Sequence, residues 1–185
     1  MTTPSDNRAP KYRGILSFRR AALLATTVAG LGAAAFVAAP DFNSYFAKVV
    51  ANGGKYDIKG LSYYPFWTRS KVTDLVNMVN LASAGDSKPV LIMETGYNWN
   101  PTRENGTLGQ LQNNGPEPYP STPQGQKDFL LALYAGIKRV NAGKCLGALY
   151  WDPVNIIENS QVSNTAMFDF DGEALPGLDA SEFNN

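Results

Sequence analysis

From residue 41 onward, apolar positions alternate between a helical and a strand rhythm. Phe42, Tyr45, Phe46, Val49 and Val50 recur at helical spacing. With Asp41 as N-cap and Asn52-Gly53-Gly54 as stop, they predict a helix over 41–51. DIKGLSYY, residues 57–64, is β-prone and halted by Pro65, which predicts a strand. Val72, Leu75, Val76 and Val79 then line one face of a second helix over 70–84, with Ser70 as its N-cap. KPVLIMETGY, residues 88–97, carries four unbroken apolar positions, 90 to 93, and ends its run at Glu94. Such a run reads as a strand buried on both faces, as in parallel α/β sheets.

Residues 95–120 read as one long loop, dense in Asn, Gly and Pro and holding Trp99. Loops of this length in compact domains are functional or disordered. The sequon Asn105-Gly106-Thr107 within it is a pattern that often arises by chance. Thr122 and Pro123 open a third helix as N-cap and first position. Its apolar face is Phe129, Leu130, Leu133, Ile137 and Val140, and Asn141-Ala142-Gly143 closes it. A short strand over 146–151 runs into Asp152-Pro153. One apolar cluster follows at 166–170, and 179–185 read as a tail.

Helix, strand, helix, strand, loop, helix, strand is the grammar of parallel βα units, so the fold class is α/β. Ligands bind such sheets at the carboxyl ends of the strands. Glu94 ends its strand there, with Gly96 free to turn the chain away. SYYPFW and YWDP end the flanking strands. Adjacent parallel strands would therefore gather Tyr63, Tyr64, Trp67, Glu94, Trp151 and Asp152 around one rim. Singly, each has a plainer reading: Glu94 as a cap on the following loop, the aromatics as strand-end packing. Together they suit a sugar ring, whose C–H faces stack on aromatic faces while its hydroxyls seek acceptors.

The beginning of the chain obeys a different pattern. Residues 1–17 are polar, Arg19-Arg20 follow, and 21–39 hold no charge and are about half alanine. A basic region, an apolar stretch and small residues at 33–35 or 37–39 make a secretory signal. The paired arginines hint at the twin-arginine route, although Phe18 and Ala22 fit that motif poorly. The rival reading is an uncleaved membrane anchor, since the stretch is just long enough to span. Weakly apolar alanine favours the cleavable signal. Residues 1–39 are thus kept out of the fold, and the product is expected to be secreted, or membrane-anchored if the leader stays.

Composition narrows the chemistry. Lys plus Arg and Asp plus Glu balance at 16 each, so no bulk field recruits nucleic acid or an anionic membrane. The absence of histidine excludes Ser-His-Asp and Cys-His nucleophile systems and the helical His pair of zinc proteases. Catalysis is left to carboxylates, Tyr, Lys or Ser, with no cofactor or metal called for. Cys145, the single cysteine, permits no intrachain disulfide and reads as a small buried hydrophobe.

Five blocks now stand in order: GLSYYPFW (60–67), KPVLIMETGY (88–97), YPSTPQGQKDFL (119–130), GALYWDP (147–153) and AMFDFDGEALPGL (166–178). Over about 41–178 the chain resembles the C-terminal part of arabinogalactan endo-β-1,4-galactanases, glycoside hydrolase family 53. The resemblance implies part of a (β/α)₈ barrel, about strands six to eight with their helices, and retaining hydrolysis of β-1,4-galactan, the side chain of pectin. It implies Glu94 as nucleophile at the end of strand seven, Tyr63 or Tyr64 hydrogen-bonded to it from strand six, and Trp151 flooring the subsite from strand eight. Trp67 and Asp152 would complete the substrate contacts.

The departures are equally specific. Thr68 stands where the family usually has His, and Asp152 where it has Glu. The family's acid/base lies in an Asn-Glu pair ending strand four, and no Asn-Glu pair occurs here. Retaining hydrolysis needs two carboxyl groups about 5–5.5 Å apart. Three readings follow: a galactanase by family with little activity in the isolated chain, a non-catalytic galactan-binding remnant, or a half-barrel that needs an oligomeric or complementing chain.

Overall fold

A computed structural model of the chain describes residues 39–155 and 160–184. The leader reading of 1–39 falls almost wholly outside them. Among the described residues, no helix is long and apolar enough to cross a membrane. Three strands, β1 (Lys59–Tyr63), β2 (Val90–Thr95) and β3 (Cys145–Tyr150), pair in parallel in that order. Helix α1 (Ala39–Ala51) precedes β1, and α2 (Pro65–Thr68) and α3 (Val72–Ala84) cross from β1 to β2. Helix α4 (Pro123–Lys138) crosses from β2 to β3. Parallel neighbours require such crossovers, because a tight turn can join only antiparallel strands.

The ends of the helices show which local signals prevailed. Thr122 caps α4 as expected, its hydroxyl accepting from the Gly125 amide at 3.0 Å. Helix α1 starts at Ala39, so Asp41 lies in its first turn, where a carboxylate still meets the positive end of the helix. Ser70 does not cap α3. Its hydroxyl donates to Thr68 Oγ1 at 2.9 Å, and its carbonyl accepts from Tyr63. Two carboxylates take over instead: Asp74 accepts from the Lys71 amide at 2.8 Å, and Glu117, from the long loop, accepts from the Val72 amide. A charged acceptor bonds these orphan donors more strongly than a hydroxyl.

Tyr63, Val90 and Ile92 face the helices and are fully buried against Leu75, Val79, Phe129, Leu130 and Leu133. Lys59 shares that face and is also buried. Its ammonium donates to Asp86 at 2.8 Å, to Asn43 Oδ1 at 3.3 Å and to the Ala82 carbonyl. Tyr56 donates to the same Asp86 at 2.6 Å. Burial pushes the Asp86 carboxyl up, but the bonds from Lys59, Tyr56 and the Lys88 amide outweigh it and hold the pKa at about 2. On the opposite face Gly60, Ser62, Leu146 and Leu149 are exposed.

Side chains of a regular strand alternate, so Glu94 should share the helix-covered face with Val90 and Ile92. It does not. The pairing of β1 with β2 steps from Leu61–Ile92 to Ser62–Glu94, skipping Met93. This bulge shifts the phase by one residue, and Glu94 comes to share the open face with Ser62. Thr95, paired with Tyr63, returns to the buried side.

The long loop from Gly96 to Ser121 is packed rather than loose. Tyr97 stacks on Phe129 with ring centroids 4.0 Å apart, and its hydroxyl donates to the Tyr119 carbonyl at 3.0 Å. Asn164, fully buried, donates to the carbonyls of Asn100 and Leu111 at 2.7 and 2.8 Å. Trp99 is buried against Phe170. The sequon sits at an exposed turn between the bridged residues Thr102 and Leu108. The final stretch, set apart in the sequence as a tail, packs back: Ala180 is fully buried, and Asp179 pairs with Lys127 at 2.9 Å.

Candidate active site

Glu94 is half-buried at the carboxyl end of β2. The Tyr64 hydroxyl donates to its Oε2 at 3.4 Å. Tyr64 leaves β1 in extended conformation and stands just before α2, whose first residue is Pro65. Its ring meets Trp67 edge-on with centroids 4.8 Å apart. Burial, then the neighbouring Glu94 charge, pushes the Tyr64 hydroxyl well above the usual tyrosine range, so it stays a donor to the carboxylate.

The alternative donor, Tyr63, is turned the other way. Successive strand residues point to opposite faces, so the pair cannot both reach Glu94. Tyr63 is fully buried, donates to the Ser70 carbonyl at 3.1 Å and to Glu117 at 3.2 Å, and lies against Phe129. The expectation that Tyr63 lines the rim is corrected: it is a core residue. Trp67 is half-buried beside Tyr64.

Trp151 is 53% exposed, with its amide donating to the Thr95 carbonyl at 2.7 Å. That bond brings the ends of β2 and β3 side by side. Gly96 completes the closure, since a Cβ there would lie 2.7 Å from the Trp151 carbonyl oxygen and 3.0 Å from the Tyr64 ring. Asp152 follows through a cis peptide bond and accepts from the Val154 amide at 3.3 Å, closing a turn over Pro153. Among the described residues, no second carboxylate is hydrogen-bonded to Glu94 or Tyr64. Thr68, in place of the family's His, is buried and donates to the Tyr64 carbonyl at 2.9 Å.

Sequence reasoning missed the layer behind these groups. Gln126 is a polar residue on the apolar stripe of α4, and that mismatch was its signal. It is fully buried, and its amide nitrogen lies 3.0 Å from the Tyr97 and Ala166 carbonyls and 3.1 Å from the Thr165 carbonyl and the Tyr150 hydroxyl. Tyr150 in turn accepts from the Tyr97 amide at 3.1 Å.

The family model described as glycosyl hydrolase family 53 matches residues 34–181. The chain belongs to glycosyl hydrolase family 53. Its similarity to the arabinogalactan endo-β-1,4-galactanase of Cellvibrio japonicus is 34% identity over 113 residues, covering 59% of this chain and 29% of that protein. The endo-β-1,4-galactanase of Bacillus subtilis is 26% identical over 181 residues, covering 76% and 42%. The solved family 53 catalytic domain of Ignisphaera aggregans superposes with a TM-score of 0.70 at 26% identity, over 78% of this chain and 43% of that one. The chain thus spans less than half the length of the family members it matches. Its three parallel strands and their helices form part of the family's barrel.

Proposed function

We propose that Glu94 is the nucleophile of a retaining endo-β-1,4-galactanase site, with β1, β2 and β3 as the sixth to eighth strands of the barrel. The observation that carries this is the bulge at Met93, which turns Glu94 out of the helix-covered core onto the open face and under the Tyr64 hydroxyl. A nucleophile must be ionised and rigidly aimed. Tyr64, held as a donor, orients the Glu94 side chain, and Trp151 offers a flat apolar face for a galactose ring. Carboxylate attack on the anomeric carbon releases a sugar alkoxide, which must be protonated as the bond breaks. General acid assistance is worth about 10²–10⁴-fold. Asp152 accepts from the Val154 amide in its own turn, and no second carboxylate among the described residues is hydrogen-bonded to Glu94. The leader supports an extracellular setting, with membrane attachment if it is retained, and a polysaccharide is the substrate such a setting provides.

The test is reducing-end release from β-1,4-galactan by the chain and by Glu94→Gln, beside an activated aryl galactoside whose leaving group needs no acid. The chain should cleave the aryl substrate, Glu94→Gln should lose that activity by several orders of magnitude, and neither should release much from galactan. Equal rates in the two proteins on the aryl substrate would remove Glu94 from the nucleophile role. Galactan binding without cleavage of either substrate would favour the binding-remnant reading.

A further inference from the structure

We infer that Gln126 is a positioning residue for Glu94, acting through the Tyr97–Tyr150 hydroxyl node behind it; this rests on the reading of Glu94 as nucleophile. Four oxygens, the Tyr97, Thr165 and Ala166 carbonyls and the Tyr150 hydroxyl, converge within 3.1 Å of one nitrogen of Gln126. Only an amide NH₂ suits that position, because a carbonyl oxygen there would face other acceptors. The orientation is maintained although Gln126 Oε1 is left buried without a partner, beside Gly177. Two protons shared among four acceptors tie together pieces that the chain order keeps apart.

Those pieces are the ones that aim the site. Tyr97 lies three residues after Glu94 on the exit from β2. Tyr150 directly precedes Trp151, and its hydroxyl also bonds the Thr165 carbonyl at 2.7 Å and the Tyr97 carbonyl at 2.9 Å. Trp151 is bonded back to Thr95, and its carbonyl closes on Gly96 beside the Tyr64 ring. Gln126 itself is fixed in the first turns of α4, where its backbone N–H donates to the Thr122 carbonyl at 2.9 Å. The path from Gln126 to Glu94 therefore runs through hydrogen bonds and two strand ends, with no contact to a substrate. A second link to α4, the Tyr97 ring stacked on Phe129, joins this node in holding the exit of the bulged strand.

The experiment uses an aryl 2-deoxy-2-fluoro-β-galactobioside bearing a dinitrophenolate leaving group. Glu94 forms a bond to the anomeric carbon while the C–O bond breaks with its electron pair, and dinitrophenolate departs without needing a proton. Intact mass with peptide mapping locates the label, and the time course gives the inactivation constant ki and the binding constant KI. Gln126→Met keeps the length and removes the donors; Tyr150→Phe is milder and keeps the ring. Both should lower ki by about tenfold to a hundredfold, the scale of a small misplacement, with KI within about threefold. Near-UV circular dichroism gives the folded fraction, to which ki is normalised. A loss seen only in that fraction, or ki unchanged in Tyr150→Phe and in whatever Gln126→Met protein is folded, overturns the inference. Failure of the wild-type chain to label at Glu94 overturns the nucleophile reading instead.

Discussion

Asp86 and Lys59 show how single residues set a response to acid. Lys59 has a side chain almost wholly buried, while about a third of the Asp86 side chain remains exposed. Removing the partner would strand the ammonium, which is the costly way to break such a pair. The Asp86 pKa is about 2 in the fold against an ordinary 3.8. A depressed carboxyl pKa means the unfolded chain binds the proton first. The stability Asp86 provides is therefore complete above pH 3.8 and is lost as the pH falls towards 2. Asp86→Asn should be less stable than the parent at pH 6, and the gap should close between pH 4 and 2. Denaturant unfolding of both proteins across that range checks it, and a gap independent of pH would refute it. Lys59 itself was hidden in the sequence, because a lysine inside a strand pattern reads as a solvent-facing position.

At the level of elements, the strands and helices were legible because their apolar periods are clear, while of the three expected N-caps only Thr122 held. Thr122 with Pro123 announced α4, and Thr122→Ala should cost about 1 kcal/mol, measurable as a lower denaturation midpoint with an unchanged slope. The start of α3 was misplaced at Ser70: Asp74 serves the Lys71 amide from within the helix, but the Val72 amide is satisfied by Glu117, 45 residues away. No local pattern carries that information. The bulge at Met93 was equally silent. VLIME reads as an even run, and only the pairing with β1 shows that two consecutive side chains share a face. The position of Glu94 at a strand end was legible; the direction in which it points was not. Choosing between Tyr63 and Tyr64 depended on that same phase.

At the scale of the whole molecule, one sheet face is covered by helices and the other carries none among the described residues. Leu146 and Leu149 are about half exposed there, and β1 and β3 each have one edge without a strand partner among the described residues. Parallel sheets are stable when both faces are covered, and open edges invite pairing with other chains. Residues 41–185 expressed alone should therefore be marginal, with oligomers or a loosely packed state that binds a hydrophobic dye. A monodisperse monomer with a sharp thermal transition would contradict this. The grammar of the fold was visible in the sequence, as was the family; the unequal treatment of its two faces emerged only with the structure. That inequality has an optical consequence. The chain has three tryptophans, and they lie in three surroundings: Trp99 sealed against Phe170, Trp67 half-covered beside Tyr64, and Trp151 largely in water at the end of β3. A soluble quencher should reach Trp151 first, so the quenchable share of the emission is a gauge of whether a sugar, or another chain, has come to rest on the open face.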